Sequence, residues 1–108
     1  MKRILLSAVV VSSLAVAAYG FDASATWTDQ CAKCHGADGK GETKMGKKLS
    51  IKDYTTAEAQ ASFTDVEGVK ALKEGTKDKN GKIRMKAIEG MTDADAQAMV
   101  KFFRGLKK

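Results

Sequence analysis

Proline is absent from this 108-residue chain, histidine occurs once and cysteine only twice. Without proline, no loop has its φ fixed by a ring. With one histidine there is no second imidazole to serve as a general base. Two cysteines and that histidine leave a four-ligand structural zinc site one donor short. No apolar run reaches the ~20 residues that a membrane-spanning helix needs. The longest, from Ile4 to Ala18, has 15 residues. Aliphatic side chains are scarce as well. From Phe21 onward Leu, Ile, Val and Phe supply 13 of 88 residues, about 15%, below the ~20% under which a charged chain is usually disordered.

What is present begins with "MKRILLSAVVVSSLAVAAYG": Lys2 and Arg3, the short apolar run, then small residues. This is the three-part pattern of a secretory signal peptide, and it implies export to the periplasm. Cleavage after Gly20 or after Ala25 fits the pattern, and an uncleaved anchor is the alternative. The division is therefore a signal segment at 1–20 and one small domain at 21–108. No stable membrane insertion is expected after cleavage. The mature chain carries 17 basic and 13 acidic residues, a net charge of +4. Domains of this size bury little surface and often need a staple or a cofactor.

Helix signals argue against disorder. A first helix is predicted from Ser24 to Cys34, with Trp27 and Cys31 one turn apart. The Gly- and Lys-rich "HGADGKGETKMGKKLS" reads as a loop, and "TTAEAQAS" as a short, weak helix. Thr64 and Glu67 form a capping box, Val66, Val69 and Leu72 recur at helical spacing, and Gly75 closes the segment. "KDKNGK" reads as a turn, with Asn80-Gly81 at its tip. The last helix starts at Thr92 with Asp95 in the box position. Ala96, Met99, Val100, Phe103 and Leu106 line its apolar face, widened by Phe102. The fold class is all-α: three or four short helices joined by long loops. Long loops in a small domain need a reason, and wrapping a cofactor is one.

The stretch "CAKCHGADGKG" points to the cofactor. Cys31, Cys34 and His35 form Cys-x-x-Cys-His, the pattern of covalent haem c attachment. Two thiols three residues apart can each form a thioether to one of two neighbouring vinyl groups, and the adjacent imidazole becomes the proximal iron ligand. A thioredoxin-like pair would need a βαβ context that is missing. A disulfide across two residues would staple very little chain.

"TWTDQCAKCHGADGKGETKMGKKL" followed by "RMKAIEGMTDADAQAMVKFFRGL" resembles a class I c-type cytochrome, over essentially the whole mature chain. The resemblance implies a small cytochrome c fold wrapped around one covalent haem. It implies an N-terminal helix bearing Trp27 that crosses a C-terminal helix bearing Phe102, with Ala23 letting them approach. It also implies that Met85, on the loop before the last helix, is the second axial ligand. A thioether there favours ferrous iron. Met45 is the rival, while Met91 and Met99 read as packing residues. At two places where the family usually has proline this chain has lysine: Lys86 after Met85, and Lys47 after Gly46. The loops are therefore expected to be looser, with the Lys47 carbonyl left to orient His35.

Lys44, Lys47, Lys48, Lys79, Lys82, Arg84 and Lys86 cluster in the two loops expected to flank the haem. As a set they would steer acidic redox partners. The expectation is a monomeric electron carrier rather than an enzyme, with no nucleic-acid partner. The alternative is a gas-binding or peroxidase-like haem c protein with an open sixth position.

Overall fold

The computed structural model describes residues 21–108, and the signal segment read at 1–20 lies outside them. From Ala23 the chain is helical through the attachment motif. Helix α1 (Ala23–Thr26) runs into a π-helical turn (Trp27–Cys31) and then into α2 (Ala32–His35). The wider π turn, closed by Ala32 N–H on the Trp27 carbonyl, leaves both Trp27 and Cys31 buried. Such turns occur as single insertions in α-helices, often at functional sites.

Four further helices start at a threonine. They are α3 (Lys44–Lys48) after Thr43, α4 (Ala57–Ala61) after Thr56, α5 (Asp65–Glu74) after Thr64 and α6 (Asp93–Arg104) after Thr92. Each threonine hydroxyl accepts from the backbone N–H three residues on, satisfying a donor that the first turn leaves free. The capping boxes predicted at Thr64–Glu67 and Thr92–Asp95 are both complete. Helix α3 replaces part of the expected loop. Between α5 and α6 the expected turn is the tip of a small antiparallel hairpin, β1 (Thr76–Lys77) and β2 (Ile83–Met85). The Asp78 carboxylate accepts from Asn80 N–H at 2.8 Å and Lys82 N–H at 3.0 Å, and so closes that tip.

The fold is all-α, as expected, with this hairpin added. Both the N-terminal helical stretch and α5 pack on α6. Trp27, Cys31 and Met99 are the centre of the core, with Ala23, Leu72, Met91, Phe102, Phe103 and Leu106 packed around them. The expected Trp27–Phe102 crossing is present, with ring centroids 5.6 Å apart. One apolar position expected on α5 faces solvent: Val66 is 79% exposed, while Leu72 on the same helix reaches the core. Among the described residues no helix is long and apolar enough to cross a membrane.

Candidate functional site

Cys31, Cys34 and His35 lie on one continuous helical stretch that ends at Gly36. Cys31 is buried, Cys34 half-buried, and both are free thiols. Burial, with Cys34 nearby, pushes the Cys31 thiol up to about 11. That is the opposite of a redox-active Cys-x-x-Cys pair, whose attacking thiol is acidified. Among the described residues, no three His, Cys, Asp or Glu side chains converge to hold a metal ion. The motif is thus built neither as a disulfide-exchange centre nor as a zinc site.

The His35 ring sits among aromatic side chains. Trp27, Phe103 and Tyr54 have their ring centroids 5.6, 5.7 and 5.9 Å from it. Burial lowers its pKa, so the imidazole is neutral near pH 7 and has a lone pair to offer. His35 Nδ1 is buried with no hydrogen-bond partner. The Lys47 carbonyl, expected to receive it, accepts the Ser50 N–H at 3.2 Å instead, at the end of α3. A buried, unpartnered imidazole nitrogen in an apolar setting calls for a further group. A neutral ring beside two thiols one turn of chain apart fits haem c.

The loop after His35 is fastened to the motif at several points. Trp27 Nε1–H donates to the Ala37 carbonyl at 3.2 Å. Gly41 N–H donates to the His35 carbonyl at 2.6 Å. The Thr43 hydroxyl donates to the Cys34 carbonyl at 2.6 Å while accepting from Gly46 N–H at 2.8 Å. Gly46 is buried, and a Cβ there would stand 2.5 Å from the Cys34 carbonyl oxygen. Tyr54 is fixed from the other side. Gln60 Nε2 donates to the Tyr54 carbonyl at 2.7 Å and the Phe103 carbonyl at 2.9 Å. Sequence reasoning missed Tyr54, Thr43 and Gln60. Only Thr43 left a trace in the sequence, a capping residue three positions before Gly46.

Met85 comes from a separate element, as the last residue of β2, and is half-buried. Its strand is held against the end of α5. Thr76 pairs with Met85, Ile88 N–H donates to the Leu72 carbonyl at 2.9 Å, and a Cβ on Gly75 (φ 77°) would lie 2.6 Å from the Met85 carbonyl oxygen. Met45 is 36% exposed on α3, Met99 is 2% exposed in the core, and Met91 packs against that core.

A family model described as Cytochrome c matches residues 22–107 of this chain. Among solved structures, the KustC0563 c-type cytochrome is 30% identical, with a TM-score of 0.67, covering 81% of this chain and 99% of that one. A tyrosine-to-phenylalanine mutant of Kustc0563 is 29% identical, with a TM-score of 0.64, covering 80% of this chain and 99% of that one. No curated relative matches the chain.

Proposed function

The chain belongs to the cytochrome c family, and we propose that it serves as an exported monohaem electron carrier between redox partner proteins. Membership carries a covalently bound haem c and, in general terms, an electron-carrier role. The proposal assigns the residues. Cys31 and Cys34 would hold the haem through thioethers, and His35 and Met85 would ligate its iron. When bound, the haem iron supplies a one-electron couple. The observation that carries the assignment is the motif's own geometry: two free thiols and a neutral, partly buried imidazole on one helical stretch, with one ring nitrogen unpartnered.

The protein's own groups have few tasks. The thiols fix the cofactor so that it survives repeated encounters. The aromatic ring set around His35 keeps water from the imidazole and holds it neutral. The Met85 thioether, soft and uncharged, favours the ferrous state and raises the potential. With His35 and Met85 both committed to the iron, no place would be left for a substrate, which fits transfer of electrons alone. His35 is the only histidine, so no second imidazole is available as the base of a peroxidase-like site. The exposed lysines of α3 and the hairpin (Lys44, Lys47, Lys48, Lys79, Lys82, Lys86) support a docking face for acidic partners. The apolar segment preceding the domain supports export to the periplasm.

The test is optical. Purified protein in the ferric state should show the weak far-red thioether band, and the ferrous form should resist carbon monoxide. Met85→Ala should abolish the band and admit carbon monoxide, whereas Met45→Ala should do neither. Reversed outcomes would move the ligand to Met45. Free carbon monoxide binding by the unaltered protein would favour an open sixth position.

A further inference from the structure

Arg84 immediately precedes Met85 on β2, and its Nη2 donates to the backbone carbonyl of Leu49 at 2.6 Å. Leu49 is the C-cap of α3, where the helix leaves carbonyls without intrahelical partners and where a cation is favoured. The chain leaves α3 through paired hydrogen bonds, Ile51 N–H to the Gly46 carbonyl at 2.9 Å and Ser50 N–H to the Lys47 carbonyl at 3.2 Å. That ending usually places a glycine in the left-handed region. Here Ser50 occupies it, at φ 53°, the one non-glycine residue with positive φ among the described residues. The strained turn leaves the Leu49 carbonyl to the guanidinium.

At its other end α3 is fastened to the attachment motif by the Thr43–Cys34 hydrogen bond and by the close approach of Gly46 to the Cys34 carbonyl. A continuous path of contacts therefore runs from Arg84, through α3, to the turn carrying Cys34 and His35. The neighbouring lysines, Lys82 in the hairpin and Lys86 just after it, differ: among the described residues their side chains have no hydrogen-bond partner.

We propose that Arg84 is a positioning residue, a brace that ties the Met85 strand through α3 to the CAKCH turn. It supplies from a side chain the restraint that proline after Met85 would otherwise give. The inference rests on the reading of Met85 as the sixth ligand. It gives Arg84 a task apart from the exposed lysines, because one guanidinium nitrogen is tied to the Leu49 carbonyl.

Carbon monoxide uptake by the ferrous holoprotein tests it. Carbon monoxide needs the position that Met85 vacates, so its apparent affinity follows the open fraction. Arg84→Gln should raise that affinity about tenfold, the worth of one charge-assisted hydrogen bond. It should also weaken the far-red band, with covalent haem content unchanged. Lys86→Gln removes the same charge one residue beyond Met85 and should stay within about twofold of the parent, as for other unpaired exposed charges. Thr43→Val releases α3 at its other end and should raise the affinity too. The double variant should fall well short of the product of the two, since both cut one path. Arg84→Gln equal to the parent, Lys86→Gln equal to Arg84→Gln, or single effects that simply multiply would each overturn the brace. Met85→Ala separates the brace from the ligand assignment. If the band survives there, the ligand assignment fails. If it is lost there while Arg84→Gln binds carbon monoxide like the parent, the brace alone fails.

Discussion

Two carbonyls end the attachment helix, those of Cys34 and His35, and each finds its donor in the loop that follows, Thr43 Oγ1–H and Gly41 N–H, both at 2.6 Å. Gly46 makes that arrangement possible, since no side chain fits between α3 and the Cys34 carbonyl. Two effects compete there. Gly46 sits within α3 without a positive φ, so on helix propensity alone alanine would stabilise by about 1 kcal/mol. The obstacle is backbone, 2.5 Å from the new Cβ, and cannot turn aside as a side-chain tip would. Overpacking of that kind costs about 1–3 kcal/mol or more, and it prevails. Gly46→Ala should therefore lower the melting temperature of the holoprotein by roughly 5 °C or more, at about 4–8 °C per kcal/mol for a domain this small. A melting temperature at or above the parent's would show that the loop yields.

Between elements, one fastening outside the motif is a polar knot centred on buried Gln60 of α4 and Arg104 of α6. Gln60 is 7% exposed and donates to the Tyr54 and Phe103 carbonyls. The Arg104 guanidinium reaches back to the Gln60 carbonyl and its side-chain oxygen, to the Phe63 carbonyl at 2.8 Å and to Asp65 Oδ1 at 3.0 Å. Gln60→Ala would leave the Tyr54 carbonyl without its donor, while the Phe103 carbonyl keeps the Leu106 N–H, and a buried unsatisfied group costs about 1–3 kcal/mol. Denaturant unfolding of the holoprotein should register a loss of about 1–3 kcal/mol, and the loop carrying Tyr54 should exchange its amides faster. An unchanged midpoint would mean that water replaces the amide without cost. Knots of this kind are hidden from sequence, since Gln60 and Arg104 carry no local pattern. The threonine caps of α5 and α6 were legible because their signals lie within four residues, and the motif because thioether chemistry dictates its spacing. Helix α3 was not, as its lysines and glycine have no apolar period, and its stability comes from Thr43 and the Cys34 turn. The hairpin escaped for a similar reason: its strands lack alternation and follow the close approach of Gly75 to Met85. Val66 had the right period for burial, yet no element covers it.

For the molecule as a whole, the apolar shortage in the sequence has its counterpart in the fold. Only Trp27, Cys31, Ala59, Ala96, Met99 and Val100 are buried hydrophobic residues among those described. Two of the six are alanines and one is a haem-attachment cysteine, which leaves three sizeable side chains for a domain whose backbone entropy must be offset by burial. A covalently held haem, large and mostly apolar, would supply the remaining burial beside the aromatic set of Trp27, Tyr54 and Phe103 around His35. Thermal unfolding, followed by circular dichroism on holoprotein and on apoprotein made without haem attachment, bears on this most directly. The holoprotein should melt in one cooperative transition, and the apoprotein should lose its ellipticity gradually, with no transition at all. A sharp melt of the apoprotein would contradict the claim that haem builds the core.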